Sequence, residues 1–159
     1  MASAGKKGSS HDAVSLLKAD HRQVEAWFAE FDGARTSSKK QQLASKICEA
    51  LTVHTTIEEE IFYPAFLQST EDKDTHHEAV VEHAGAKKLI AEIQGMSPED
   101  DYFDAKVTVL SEMIKHHVKE EEKPGGMFAE AKKSEMDLAA LGEQLLARKR
   151  ELQSRSKAA

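Results

Sequence analysis

The sequence has little of what loop-rich, disulfide-bonded or membrane-spanning proteins need. Its 159 residues include 3 prolines, 8 glycines and 1 cysteine, Cys48. So few prolines and glycines argue against a collagen-like or loop-rich chain, and a single cysteine excludes an internal disulfide. No apolar run approaches the about 20 residues of a transmembrane helix. We therefore expect a soluble protein built from long helices.

Acidic residues outnumber basic ones, 28 against 22, which gives a formal net charge of −6. An acidic chain is a poor general binder of nucleic acid, and the apolar runs are too short to span a membrane, so we expect neither as a partner. The opening residues, MASAGKKGSSHD, lack the apolar segment of a secretory signal, which predicts a cytoplasmic protein. The unusual feature of the composition is its eight histidines, which at helical positions are either scattered surface residues or a metal site.

Apolar residues recur with a helical period in four successive segments. The segments stop at Asp32-Gly33, near Tyr63-Pro64, at Gly95 and before Pro124-Gly125-Gly126. The short connections between them favour an all-α, antiparallel up-down four-helix bundle. A fifth segment with leucines on one face follows, and it either docks on the bundle or forms a homo-oligomer contact. The predicted domains are a disordered lead (1–10), the bundle (11–133) and a C-terminal amphipathic helix and tail (134–159).

Four local features are predicted within this pattern. Pro64 removes an amide donor and should kink or end the second helix. Ser97-Pro98-Glu99 should begin the fourth helix, and Val80 should belong to the apolar stripe of the third. The polar tail from Ser154 should fray at the end of the fifth segment.

Six polar residues continue the apolar stripes of the four helices, so they should face the core. A buried imidazole or carboxylate that lacks a partner destabilises the folded protein by several kcal/mol. A sequence that places such residues on every helix should bind a compensating charge, and a metal supplies one. The six residues are His21, His54, Glu58, His83, His117 and Glu121.

The spacing of these residues supports a dinuclear site. His54 and Glu58 are an i, i+4 pair, as are His117 and Glu121, so each pair lies on one helical face, one turn apart. A carboxylate can bridge two ions about 3.5 to 4 Å apart. Nitrogen and oxygen donors without thiolate suit iron or manganese, and zinc would also accept them.

An internal repeat relates the two halves of the site. DHRQVEAWFAEF (20–31) aligns with EHAGAKKLIAEI (82–93), an offset of 62 (83 − 21), and the His-x3-Glu pairs are offset by 63 (117 − 54). Each helical hairpin thus contributes one single histidine and one His-x3-Glu. One spacing fits less well, because His21 lies 14 residues before Arg35 (35 − 21) and His54 lies 19 after it (54 − 35).

These motifs resemble the hemerythrin-like HHE cation-binding domains over roughly residues 11–133. The resemblance is carried by DH (20–21), HTTIEEEIFYPAF (54–66), EHAGAKKLI (82–90) and HHVKEEE (116–122). It implies a four-helix bundle with two non-haem iron ions in an oxo- or hydroxo-bridged centre. The implied iron ligands are the same six residues, with Glu58 and Glu121 as the bridges.

The resemblance also has departures with consequences for function. The oxygen-carrying hemerythrins have a further histidine where this chain has Lys87, and their helix-four acid is an aspartate five residues after the histidine rather than Glu121 at i+4. His76 is the one obvious substitute on the third helix. A six-ligand site leaves more coordination positions open, which favours redox or peroxide chemistry, or sensing, over stable oxygen carriage.

The function expected from these features is a non-haem di-iron protein that binds, senses or scavenges O2, NO or peroxide, or buffers iron. Its partner would be a small diatomic ligand or peroxide, and a binding role is favoured over an enzymatic one. Two alternatives stay open: a di-iron oxidase or peroxidase, and a metal-free helical interaction module.

Other polar residues have simpler interpretations. His116 could pair with Glu120, but His117 shares its stripe with the apolar residues and is favoured. His76, His77 and His11 are expected at the surface, with His76 the one alternative ligand among them. We expect solvated side chains at Glu59, Glu60, Glu120 and Glu122, and core side chains at Cys48, Trp27, Phe28, Phe31, Phe62, Tyr63 and Phe66.

Overall fold

The computed structural model describes residues 12–158, and all regular structure in that range is helical. Four long antiparallel members form the bundle, and the last helix packs along the outside of the first two. This confirms the predicted four-helix bundle with an additional C-terminal helix. The helices are α1 (Ala13–Gly33), α2 (Ser37–Ile57), α3 (Tyr63–Thr70), α4 (Lys73–Gln94), α5 (Phe103–Glu122), α6 (Met127–Lys133) and α7 (Leu138–Ala158), with a π-helical turn at Glu58–Phe62.

The predicted domain boundaries remain predictions. The disordered lead assigned to residues 1–10 lies outside the described residues. The short helix α6 packs against α5 and α3, and α7 packs against α1, α2 and the π-helical turn. Within residues 12–158, no helix combines the length and apolar character needed to cross a bilayer.

Side-chain caps begin three bundle helices, α1, α2 and α4. The Asp12 carboxylate accepts a hydrogen bond from the Ser15 amide at 2.7 Å, and the Asp72 carboxylate accepts one from the Thr75 amide at 3.1 Å. Each cap satisfies an amide that has no partner within its own helix. Glu71, after α3, adopts a left-handed conformation with φ 57°. The chain therefore reverses between α3 and α4 within two residues.

The sequence predicts that Pro64 kinks or ends the second helix, and the structure shows that the helix does not end there. Pro64 lies in the first turn of α3, and the helix continues to Thr70. Proline has no amide hydrogen and its ring clashes with the carbonyl four residues earlier. The preceding turn is π-helical, with the Tyr63 amide donating to the Glu58 carbonyl five residues back. This wider turn accommodates the proline, so α2 and α3 together form one bundle member.

Three further local predictions are wrong. Helix α5 begins at Phe103 rather than near Ser97, because the Asp100 carboxylate accepts from the Ser97 amide at 2.9 Å and stabilises a turn there. Val80 is 37% exposed, and its neighbour Ala79, which is 5% exposed, faces the core instead. The tail from Ser154 continues α7 as helix to Ala158.

Buried apolar side chains form two clusters with a polar layer between them. The first apolar cluster includes Phe31, Leu51 and Phe103, and the second includes Leu17 and Phe62. Cys48 and the aromatic side chains expected in the core are buried, except that Trp27 is partly buried. Each fully buried side chain of this size contributes about 1.5–3 kcal/mol. The polar layer is therefore held from both ends by packed helices.

Candidate metal centre

The structure brings the six predicted residues together in this polar layer. Each of them is buried, with no more than 5% of its surface exposed. They form two groups of three in which one ligand atom from each residue lies within 4.8 Å of the others. The first group is His21, His54 and Glu121, and the second group is Glu58, His83 and His117.

His21 and His54 meet although their spacing from the turn differs. Their ring centroids are 5.0 Å apart. Helical side chains tilt towards the N-terminus of their own helix. In antiparallel helices this carries His21 away from the turn and His54 towards it, which offsets the difference counted along the sequence.

The two glutamates lie between the groups. Glu58 Oε1 is 2.8 Å from His54 Nε2 of the first group and 3.3 Å from His83 Nε2 of the second. Glu121 Oε1 is 3.2 Å from His21 Nε2, and its Oε2 is 3.3 Å from His117 Nε2. Each carboxylate thus contacts one histidine of each group, which is the position that a bridging carboxylate requires.

Several inward-facing atoms have no hydrogen-bond partner. They are His21 Nε2, His54 Nε2, Glu121 Oε1 and both carboxylate oxygens of Glu58, all fully buried. These atoms lie near one another at ion-pair distances, but without hydrogen-bond geometry. A buried polar atom left in this state costs about 1–3 kcal/mol. Cations at the centre would satisfy all of these atoms, so the donor set fits bound metal.

Each imidazole directs its other nitrogen to a carboxylate of its own. The Nδ1 atoms of His21 and His54 lie 2.6 and 2.9 Å from Glu122 and Asp20, and those of His83 and His117 lie 3.2 and 2.8 Å from Glu59 and Glu82. Such contacts orient the ring and leave Nε2 available to a metal. We call Asp20, Glu59, Glu82 and Glu122 the outer carboxylates.

A cationic or ionisable side chain lies beside every outer carboxylate. Arg22 bonds to Glu122, and Lys87 Nζ lies 2.6 Å from Glu59. His116 Nε2 lies 3.0 Å from Glu82, which completes three pairs within the bundle. The fourth, Lys149, comes from α7, and its Nζ lies 2.5 Å from Asp20 Oδ1. The C-terminal helix therefore reaches the site through Asp20 and His54.

The outer carboxylates correct the expectation that Glu59 and Glu122 are solvated. Their side chains are only 27% and 18% exposed, because each reaches inward to a histidine. Glu60 and Glu120 do lie at the surface, where they pair with Arg148 and Lys123. The repeat carries a signal for the outer carboxylates: Asp20 and Glu82 precede the single histidines, and Glu59 and Glu122 follow the inward glutamates.

Tyr63 is a site residue that the sequence interpretation assigned only to the core. Its hydroxyl donates to Glu121 Oε2 at 3.0 Å and lies 3.0 Å from His83 Nε2 and 3.2 Å from His117 Nε2. Burial, followed by the negative charges of Glu121 and Glu58, raises the pKa of Tyr63 well above its ordinary value. The phenol therefore stays protonated and available as a hydrogen-bond donor inside the site.

The carboxylates set the electrostatics of the metal-free site. Burial lowers the pKa of His54, but the charge of Glu58 and the charge and hydrogen bond of Asp20 outweigh it and raise that pKa to about 10. Burial also opposes ionisation of Glu58, yet His54 and His83 hold its pKa well below the usual value. The pKa of His117 is raised in the same way, chiefly by Glu121 against the effect of burial. The buried carboxylates therefore favour positive charge on His54 and His117.

The remaining described histidines lie outside the two groups. His116 is at the surface with a side chain 65% exposed, so the structure places His117, rather than His116, in the interior. His76 is half-buried, and its ring centroid lies 6.1 Å from that of Tyr63. His77 is exposed. His11 lies outside the described residues.

A cavity of about 360 Å³ opens beside the imidazoles. All four site histidines line it, whereas Glu58, Glu121 and Tyr63 do not. Its wall is mostly apolar, and Lys149 and Gln153 of α7 are part of its rim. The apolar lining includes Val24, Trp27, Leu51, Ala86, Met113 and Ile114.

Comparisons with known proteins agree with this fold. The family profile described as the hemerythrin HHE cation binding domain matches residues 12–124. The chain therefore belongs to the hemerythrin HHE cation-binding family, as the sequence motifs indicated. The matched region ends before α6 and α7, so Lys149 lies outside it.

Two individual proteins are similar to this chain. The crystal structure of a hemerythrin HHE cation-binding domain-containing protein from Mycobacterium kansasii has the same fold, with a TM-score of 0.77, 20% identity, and coverage of 92% of this chain and 90% of that one. A Nostoc sp. protein named DNA nickase is 29% identical over 123 residues, which are 76% of this chain and 35% of that protein. The chain thus spans about a third of the Nostoc protein's length.

Proposed function

We propose that the protein is a non-haem di-iron protein that binds, senses or scavenges O2, NO or peroxide, or buffers iron. His21, His54, Glu58, His83, His117 and Glu121 would hold two iron ions, with Glu58 and Glu121 between them. The ions would supply one-electron redox chemistry and open coordination positions. The outer carboxylates would orient the four imidazoles, and Tyr63 would offer a hydrogen bond beside His83 and His117.

The observation that carries this proposal is the set of unpartnered inward-facing atoms. Two nitrogens and three oxygens of four buried residues converge without hydrogen bonds, while the Nδ1 atom of each site histidine faces a carboxylate. A site built only for structural hydrogen bonding would have paired these atoms. Membership of a cation-binding family supports the same interpretation.

The experiment is anaerobic reconstitution of the purified full chain with Fe(II), followed by metal analysis. About two ions per chain are expected by the dinuclear-site argument. Admission of air should then produce near-UV absorption typical of a bridged di-iron centre. Failure to take up iron would refute the proposal.

The cavity favours one alternative, a di-iron oxidase or peroxidase. A binding protein for diatomic ligands needs little space beside its metal ions, whereas this cavity is about 360 Å³ and all four site histidines line it. Consumption of many equivalents of peroxide or NO per chain, in the presence of a reductant, would indicate the enzyme. Consumption that stops at the electron content of the bound iron would favour the binding or scavenging role.

A metal-free interaction module makes a different prediction about stability. Glu58→Ala combined with Glu121→Ala removes two buried carboxylates, so a metal-free module would keep or gain stability. A metal protein with this double substitution should lose iron, and added Fe(II) should no longer protect its fold, because ligands stabilise only through bound states. Thermal unfolding of both proteins with and without Fe(II) separates the two cases.

The expected cytoplasmic location, the absence of nucleic-acid partners and the homo-oligomer contact through α7 remain proposals. In the structure α7 packs on α1 and α2, which supports the docked alternative for this segment. The name of the Nostoc protein motivates a direct nicking assay of this chain.

A further inference from the structure

The cavity beside the imidazoles is larger than the proposed diatomic ligands or hydrogen peroxide require. A water molecule occupies about 30 Å³ of liquid, and a cavity of about 150 Å³ with apolar walls holds benzene. The cavity in this protein measures about 360 Å³. Its volume therefore corresponds to an organic molecule with the bulk of an aromatic ring or a short branched chain.

The lining of the cavity is divided between an apolar wall and a polar end. Val24, Leu51 and Ile114 come from three different bundle helices and belong to the first apolar cluster. The imidazole rings of His21, His54, His83 and His117 form its polar end, while the unpartnered Nε2 atoms of His21 and His54 are buried below the cavity surface. A buried water molecule needs about two to four polar partners, so the apolar wall would hold water poorly. The fitting ligand is uncharged, with an apolar body and one polar end.

Charged side chains at the rim argue against an ionic ligand. Lys149 is already paired with Asp20, and Glu82 faces both His116 and His117. Because these side chains are already paired, they leave no free cation for a ligand carboxylate and no free carboxylate for a ligand ammonium group. An uncharged polar group directed at the imidazole end satisfies both the apolar wall and the polar end.

We propose that this cavity binds an organic hydroperoxide, with its alkyl or aryl body against the apolar wall and its hydroperoxide group at the imidazole end. The inference rests on the proposed di-iron function. The O–O bond would be reduced by two electrons, one from each of two Fe(II) ions that become Fe(III). With two protons from solvent, the oxygens leave as the alcohol and one water.

The binding step is tested without iron, with the product-like probe cumyl alcohol. Trp27 lines the cavity and is the single tryptophan of the sequence, so its fluorescence reports occupancy directly. Saturable binding with a blue-shifted emission is expected in the metal-free full chain. Calorimetry provides a second measure of the same affinity.

Two cavity-filling variants and a matched control locate the binding. Ala86→Leu fills the cavity from α4 and Ala50→Leu from α2, while Ala84→Leu adds the same side chain to an exposed position of α4. Each filling variant should weaken cumyl alcohol binding about tenfold or more, since a misplaced methylene in an apolar pocket has effects of this size. The control should bind like the wild type. Because Ala50 is only partly buried, its variant keeps the test decisive if Ala86→Leu folds poorly.

The redox step is tested with the Fe(II)-loaded protein and cumyl hydroperoxide under nitrogen. One equivalent of cumyl alcohol is expected for every two Fe(II) oxidised, with slower oxidation in the filling variants than in the Ala84→Leu control. Absence of saturable alcohol binding, or equal binding in the filling variants, overturns the inference even if iron is bound and reacts with hydrogen peroxide. Failure to bind iron would instead refute the proposed function and the redox step, while the cavity binding would be judged by the fluorescence result alone.

Discussion

Substitution of Asp20 should weaken metal binding although Asp20 is not one of the six proposed ligands. Asp20 Oδ2 lies 2.9 Å from His54 Nδ1, and its Oδ1 lies 2.5 Å from Lys149 Nζ. Partners of this kind change metal affinity by about 10- to 100-fold when removed. That range corresponds to about 1.4–2.7 kcal/mol. We expect Asp20→Asn to lower the affinity for the ion held by the first group, which contains His54, about tenfold or more.

Lys149 acts one contact further out, so its effect should be smaller. The Lys149 side chain is 26% exposed, and solvent screens part of its interaction with Asp20. Lys149→Met should reduce metal affinity a few-fold, by about 3 to 10 times, with Lys149→Arg restoring most of it. Arg150→Met is the matched control, because it removes the same charge from an exposed position of α7.

The assay is competition with a chelator of known affinity, under nitrogen, with Fe(II) or Mn(II). Circular dichroism and thermal unfolding of each metal-free variant show whether the fold persists. Wild-type affinity in Asp20→Asn would refute the orienting role of the outer carboxylates. Equal affinities in Lys149→Met and Arg150→Met would refute the role of α7 at the site.

Three further predictions concern pH, packing and nucleic acid. The pKa of His54 is raised from 6.5 to about 10, so its proton stabilises the metal-free fold fully below about pH 6.5 and this contribution is lost as the pH rises towards 10. Metal affinity should rise over the same pH range because metal binding displaces the proton. Denaturant titrations at several pH values measure the fall in stability, and chelator titrations measure the rise in metal affinity. A Cβ at Gly126 would lie 2.5 Å from the Glu120 carbonyl oxygen, whereas one at Gly33 meets nothing within 4 Å. Gly126→Ala should therefore cost about 1–3 kcal/mol in unfolding free energy, and Gly33→Ala should not show this steric loss. Supercoiled plasmid incubated with the metal-loaded protein should stay supercoiled, and nicking above a metal-only control would contradict the exclusion of nucleic acid.

The sequence alone determined the bundle and the six inward residues, because both depend on a local period. A helix repeats every 3.6 residues, so His21 between Leu17 and Val24 is identified as core-facing without knowledge of its neighbours. The repeat between the two hairpins gave independent support for His83. Local geometry also explains why helix ends at Gly95 and after Glu122 were correctly placed.

Only the tertiary structure decided which groups surround the six residues. Lys149 lies 129 residues from Asp20, and no period links the two positions. Tyr63 has the sequence pattern of an ordinary core aromatic, and its hydroxyl becomes a site donor because the π-helical turn and α3 carry it opposite His83 and His117. The cavity depends on how side chains from several helices pack. These features come from long-range packing, which apolar periodicity leaves undetermined.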